Sequence, residues 1–152
     1  LDVDHLAKYI HYKIMDVPTG ASELVHKFTD EDDFYDLMDQ DEEDQVQPTL
    51  VKFFQPSCGH CQRYANTFKR AAAHNLGRVR FMDIDCAEGG PEAASFCGRH
   101  QVRSFPTLLL FTGEEVHKHE GADRGIMGLD SWFAKLGVAQ KPSSQQEGHD
   151  EL

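Results

Sequence analysis

Phe53-Phe54-Gln55-Pro56-Ser57-Cys58-Gly59-His60-Cys61 decides the fold. Its first residues close an apolar run that begins Thr49-Leu50-Val51-Lys52, and its last open a helix-like stretch from Gln62 to His74. A Cys-x-x-Cys pair at a strand-to-helix junction is the pattern of a redox dithiol. The start of a helix presents unpaired N–H groups and a partial positive charge. A thiolate at Cys58 is stabilised there, and the thiolate is the form that attacks disulfides. His60 is expected to add a second cationic stabiliser, and Gly59 and His60 together to set the redox poise. Cys61, one helical turn further in, is expected to be shielded. An inert bridge between Cys58 and Cys61 is the plain alternative, but a two-residue spacer at a helix start is poorly placed to staple anything.

Outward from this centre, Ser22 to Phe28 reads as a first strand. Thr29 before Asp30-Glu31-Asp32-Asp33 reads as an N-cap followed by an acidic first turn. Phe34, Leu37 and Met38 supply that helix's buried face. Thr49 to Gln55 has the apolar density of a central strand. The helix behind the dithiol is predicted over 58–75, with Tyr64, Phe68, Ala71 and Ala72 on one face. Arg78 to Cys86 alternates as a strand, and Pro91 to His100 is a helix with proline in its first turn. Thr107 to Phe111 is an apolar strand, Gly113-Glu114 a turn, and Val116 to Gly121 a charged edge strand. The closing helix spans 125–136, with Ile126, Leu129, Trp132 and Phe133 facing in. Leu6, Tyr9, Ile10 and Ile14 recur at helical spacing, and Pro18 and Gly20 would end that segment. The domains expected are an N-terminal extension (1–20), a folded domain (21–138) and a flexible polar tail (139–152). Asp41-Glu42-Glu43-Asp44 reads as a solvated loop, and His117-Lys118-His119 as a solvent-facing strand.

The chain has 152 residues and a formal net charge of −11. It can bury a core without depending on disulfides. With no basic stripe to neutralise phosphates, nucleic-acid binding is not expected. No apolar stretch reaches the roughly 20 residues of a membrane span. The chain does not begin with Met and shows no signal peptide, as expected of a mature form. His149-Asp150-Glu151-Leu152 matches an endoplasmic-reticulum retention address, read by a receptor at a free C-terminus. It implies residence in an oxidising lumen, where disulfides persist.

The remaining cysteines, Cys86 and Cys97, read as a second disulfide between the end of a strand and the following helix. Closing that loop would contribute about 3 kcal/mol in the chain-entropy model. Four cysteines permit three connectivities, and the spacing does not choose among them; pairing within each half is the one expected. A zinc site from Cys58, Cys61, Cys86 and Cys97, with His60 and His100 nearby, is the alternative. Four-thiolate sites favour two close pairs, and ten residues separate Cys86 from Cys97. No metal or cofactor is expected.

These pieces resemble protein disulfide isomerases, and through them the thioredoxin fold. Three matches carry the resemblance: the 53–61 stretch with its Cys-Gly-His-Cys, Val102-Arg103-Ser104-Phe105-Pro106-Thr107 as the family's cis-proline loop, and Glu120-Gly121-Ala122-Asp123-Arg124 as the loop of its mobile arginine. They span roughly residues 22–137. The resemblance implies an α/β thioredoxin fold, a central mixed β-sheet flanked by helices. It also implies a second disulfide, since several lumenal relatives carry a cysteine pair at similar places. Ser57 stands where the family usually has Trp, Asn66 where it has a helix-kinking Pro, and Lys52 where it has a buried acid beneath the second cysteine. Lys52 with Asn66 is similar to small single-domain plant-type members.

The resemblance also implies roles. Cys58 attacks a substrate disulfide, and Cys61 resolves the mixed disulfide. The backbone of Phe105, before a cis Pro106, pairs with the substrate chain. Arg124 swings toward Cys61 and lowers its pKa; the plain alternative is a solvated helix-start arginine. Lys52 either serves, neutral, as the base for Cys61 or snorkels to solvent. The expected activity is that of a protein disulfide isomerase or dithiol–disulfide oxidoreductase of the endoplasmic-reticulum lumen. Its partners would be unfolded or disulfide-bearing secretory proteins, a lumenal oxidase or glutathione, and the retention receptor. Two rivals stand beside it: a thioredoxin-like reductase, and a chaperone or client-retention protein that holds partners through mixed disulfides. The missing Trp at Ser57 gives weight to the second.

Overall fold

The computed structural model describes residues 24–39, 47–113 and 115–138. The helix expected within residues 1–20, the acidic run at 41–44 and the tail at 139–152 with its retention-type motif lie outside the described residues. So do Ser22, at the start of the first expected strand, and Glu114 of the expected turn.

The centre of the fold is β2 (Thr49–Phe54), whose residues are buried from Thr49 to Phe53. Beside it runs β3 (Arg80–Asp85) in parallel, and beyond that the short β1 (Val25–Lys27), also parallel. On the other side β4 (Thr107–Phe111) and β5 (Val116–Lys118) run antiparallel. The mixed five-stranded sheet has the order β1-β3-β2-β4-β5. Helices α1 (Glu31–Asp39), α2 (Gly59–His74), α3 (Pro91–Arg99) and α4 (Ile126–Leu136) join and cover it. The thioredoxin fold expected from the motifs is the one observed.

Strand parity sorts the side chains. Leu50, Phe81, Leu108 and Leu110 share one face with Tyr64 and Phe68 of α2 and Leu129 and Phe133 of α4. Val51, Phe53, Met82, Ile84 and Leu109 share the other with Phe34 of α1 and Phe96 of α3. On that second face Phe34, Phe96 and Phe111 form tilted, edge and stacked pairs at centroid distances of 5.0 to 6.1 Å. Full burial of each such ring is worth about 1.5–3 kcal/mol.

The expected elements hold, with shorter ends. The first helix is capped by Asp30 rather than Thr29: Asp30 Oδ1 accepts from the Asp33 amide at 2.8 Å, the bond an N-cap side chain makes. The Thr29 hydroxyl instead donates to Asp33 Oδ2. The edge strand stops at Lys118, because His119 turns to meet the edge of Trp132 at 4.9 Å, though its amide still bonds to Leu108. Helix α4 ends at Gly137, whose φ of 72° lies in the left-handed region that favours glycine. The Val138 amide then reaches back to Phe133. Among the described residues no helix is long and apolar enough to cross a membrane.

Candidate active site

The turn Gln55-Pro56-Ser57-Cys58 converts β2 into α2. The Cys58 amide bonds to the Gln55 carbonyl at 3.1 Å, and the Cys58 carbonyl accepts from the Gln62 amide at 3.0 Å. Cys58 is thereby the N-cap of α2, extended at φ −79° and ψ 119°. Its sulfur does what a serine or aspartate oxygen does at this position. It accepts the amide hydrogen of Cys61 at 3.2 Å. The Cys61 side chain is the first cause holding the Cys58 thiol below its ordinary pKa and this amide the second, and the His60 amide and the charge of Arg63 add to them. His60 therefore acts through its backbone N–H, while its ring accepts from Arg63 at 3.1 Å. The nearby cation is Arg63, which the pattern of the motif alone did not single out.

Cys61 is the opposite case. It is buried, and burial with the neighbouring Cys58 pushes its thiol up to about 11. Both cysteines are free thiols. One is exposed enough to meet substrate and easy to ionise; the other is shielded and hard to ionise. This is the division of labour expected of attacker and resolver.

Phe105 and Pro106 face the dithiol. The Cys58 thiol lies 3.7 Å from the Phe105 carbonyl, toward which it donates. The Phe105–Pro106 peptide bond is cis, as the resemblance implied. Arg124 belongs to this loop's surroundings: its Nη1 donates to the Pro106 carbonyl at 3.5 Å, and its guanidinium sits 5.4 Å from the centre of the Tyr64 ring. The Tyr64 hydroxyl returns a 2.7 Å bond to the Arg124 carbonyl. The charged or ionisable groups acting on Cys61 are Cys58 and Lys52. Ser57 is exposed beside Cys58, so the position of the usual indole carries only a hydroxyl.

Beneath Cys61, Lys52 is 5% exposed and does not reach bulk solvent. Its ammonium lies between two rings, 5.2 Å from Phe54 and 4.8 Å from Phe68. Burial lowers its pKa, and Asp83 and Cys61 oppose the shift. A cleft of about 250 Å³ opens here, lined among others by Cys61, Lys52, Asp83, Lys27 and Lys69. Asp83 is the group that sequence reasoning passed over. The alternation of β3 places it on the face of Phe81, and that parity was the available signal.

Cys86 and Cys97 form a disulfide, with the connectivity expected. The bond occupies two of the four thiols that the zinc alternative required. Among the described residues no group of three or more His, Cys, Asp or Glu side chains is placed to hold a metal ion.

Comparison with known proteins agrees with this fold. The family model described as Thioredoxin matches residues 25–135. The chain is 34% identical over 89 residues to protein disulfide-isomerase 2-3 of Arabidopsis thaliana, covering 57% of this chain and 19% of that protein. It is 28% identical over 146 residues to the thioredoxin domain-containing protein 5 homolog of Drosophila melanogaster, covering 91% and 31%. The chain thus spans less than a third of the length of either relative. Its fold superposes on the first thioredoxin domain of mouse protein disulfide-isomerase A4 with a TM-score of 0.60 at 16% identity, covering 76% of this chain and 78% of that one.

Proposed function

The chain belongs to the thioredoxin family, and from that premise we propose that it is a thiol–disulfide oxidoreductase of the protein disulfide isomerase type, acting on secretory proteins in the endoplasmic-reticulum lumen. One observation carries the reading: the Cys58 sulfur sits at the N-cap of α2, bonded to the Cys61 amide and facing the Phe105 carbonyl. A substrate segment adding to the Phe105 backbone as an extra strand would bring its disulfide to that sulfur. Cys58 attacks, one substrate sulfur leaves as thiolate, and a mixed disulfide forms. Cys61 then attacks Cys58, the Cys58–Cys61 bond forms, and the second substrate sulfur leaves. Run backward, the same steps oxidise a dithiol substrate.

The Gly59-His60 spacer supports an oxidising poise. The Cys86–Cys97 disulfide supports a compartment in which such bonds persist. The retention-type motif His149-Asp150-Glu151-Leu152 is consistent with that compartment. Proposed partners are disulfide-bearing or unfolded secretory chains, a lumenal oxidase or glutathione, and the retention receptor.

With a serine at the shelf position, this chain should oxidise dithiols well and isomerise folded-like substrates weakly. The test is to measure oxidation of reduced ribonuclease, reactivation of scrambled ribonuclease, and the dithiol potential against glutathione. Oxidation outpacing isomerisation, with a potential near −180 mV, as in protein disulfide isomerase, supports the reading. A potential near −270 mV, where thioredoxin sits, would assign a reductase instead.

A further inference from the structure

Two arginines stand on the two segments that meet at the Cys58 sulfur. Arg63 belongs to α2, and Arg103 lies two residues before Phe105 in the loop that leads to Pro106. The sulfur itself joins these segments. It accepts from the Cys61 amide of α2 and lies 3.7 Å from the Phe105 carbonyl. Both arginines are exposed. Arg63 is three residues beyond His60, a spacing that makes neighbours on a helix, and its Nη2 donates to His60 Nδ1 at 3.1 Å. Its Nη1 lies over Gly59, where an added methyl group would meet it at 3.4 Å. The guanidinium is thus laid along the exposed Gly59-His60 spacer. A guanidinium carries five N–H donors in a fixed fork that suits a carboxylate. His60 takes one of them, and among the described residues the Arg63 side chain has no other hydrogen-bond or ion-pair partner.

Arg103 is freer still: among the described residues its side chain has neither a hydrogen bond nor an ion pair. Arg124, the third arginine of this neighbourhood, is committed to the Pro106 carbonyl and the face of Tyr64. Asp123, beside it, turns its carboxylate to the Gly125 amide at 3.0 Å. The chain as a whole carries a formal charge of −11. Two unanswered cations around the attacking sulfur therefore run against the field of the rest of the molecule. Net charge alone favours basic partners, whereas this spot favours acidic ones. At an ionic strength of about 0.15 M, charges further than about 8 Å away are largely screened. What remains there is the contact that the two arginines make.

We propose that Arg63 and Arg103 make this site selective for polypeptide segments that carry Asp or Glu beside the reacting cysteine, Arg63 taking that carboxylate on the donors that His60 leaves open. The inference deepens the oxidoreductase reading, names its substrate class and rests on it. A substrate strand added to the Phe105 backbone passes between the two arginines, so residues on either side of its cysteine come within reach of one or the other. The chemistry is unchanged. The Cys58 thiolate attacks one sulfur of the substrate disulfide, that bond breaks, and its electron pair leaves on the other substrate sulfur. The arginines act on how often the right segment is seated when this happens. With a hydroxyl at Ser57 in place of an apolar shelf, charge carries a larger share of that seating.

The experiment mixes the reduced protein, in about 0.15 M salt, with disulfide-linked dimers of short peptides that carry Asp, Asn or Lys on both sides of the cysteine. The second-order rate of peptide-thiol release is read for each. Dividing it by the rate of dithiothreitol with the same dimer removes the intrinsic reactivity of the peptide. The Asp dimer should outpace the Lys dimer roughly 10-fold, at the low end of electrostatic effects on association. Arg63→Gln with Arg103→Gln should bring that ratio to one or below, the sense set by the net charge. Loss of Arg63 also slows the Asn dimer through the Cys58 thiolate, and the ratio cancels that effect. In about 1 M salt, where screening acts within about 3 Å, the wild-type preference should shrink toward one. A wild-type ratio at or below one in about 0.15 M salt overturns the proposal. So does a ratio that the double variant leaves intact, or one that high salt does not reduce. If wild type reacts with none of the three dimers, the oxidoreductase reading falls and the selectivity with it, a result told apart by the loss of all three rates.

Discussion

The amide of Cys61 donates to the sulfur of Cys58 across 3.2 Å. The resolving residue thus stabilises the thiolate of the attacking one, first through its own buried, protonated thiol and then through this amide. One helical turn generates both halves of the asymmetry. The N-cap position gives Cys58 the orphan amides of α2, and one turn on Cys61 is buried over the central strand β2.

Alkylation by iodoacetamide should therefore resolve the two thiols by pH. Cys58 should react with an inflection below the usual thiol range near 8.5. Cys61 should stay unreactive until the pH approaches about 11. Replacing Arg63 with Ala removes the nearest cation and should move the Cys58 inflection upward, leaving Cys61 where it is. Mass mapping of the alkylated sites against pH checks both. A common inflection for the two cysteines would show that the backbone bond does not divide them.

Cys58→Ser should abolish turnover, because the exposed nucleophile is gone. Cys61→Ser should still attack but lack a resolver, so mixed disulfides with substrate should accumulate and be visible on non-reducing gels. If adducts accumulate in Cys58→Ser and not in Cys61→Ser, the roles of the two sulfurs are reversed.

Much of this site was legible in the chain because its signals are local. The apolar run into Cys58-Gly59-His60-Cys61, the proline opening α3 and the periodic face of α2 each depend on neighbours along the sequence. What the reading missed depends on direction and register. His60 lies within the motif, yet its ring turns to Arg63, one turn on, so the charge near Cys58 comes from outside the motif. Thr29 and Asp30 are both good caps, and only the backbone path into α1 selects Asp30. Asp83 acquires meaning through its pairing with Lys52, and no local pattern states which residue of β3 lies beside which residue of β2. Strand parity exposes the face but not the partner.

The disulfide between Cys86 and Cys97 joins the end of β3 to α3 at a sequence separation of 11 residues. In the chain-entropy model its loss costs about 3 kcal/mol. Cys86→Ala with Cys97→Ala should lower the urea midpoint accordingly and leave the alkylation profile of Cys58 unchanged. A shift in that profile would show that the second disulfide is coupled to the dithiol.

The pair of Lys52 and Asp83 should hold the fold below its attainable stability. Burial raises the Asp83 pKa, against the pull of Lys27 and Lys52, and lowers that of Lys52. A carboxyl whose native pKa is raised above its unfolded value favours folding while protonated. That contribution is complete below the unfolded pKa near 4 and is lost as pH rises through the native pKa. A lysine with a depressed native pKa opposes folding at every pH below it. At pH 7 both charged forms are therefore held at a cost. Lys52 and Asp83 are neighbours in register, and replacing buried, oppositely charged neighbours by apolar side chains of similar size commonly gains about 1–4 kcal/mol. Lys52→Met with Asp83→Leu should accordingly raise the urea midpoint at pH 7. Its advantage over wild type should grow as pH rises from about 3 to 7, where Asp83 is forced to ionise. A loss of stability would mean that the charged row of Lys27, Asp83 and Lys52 holds β1, β2 and β3 together.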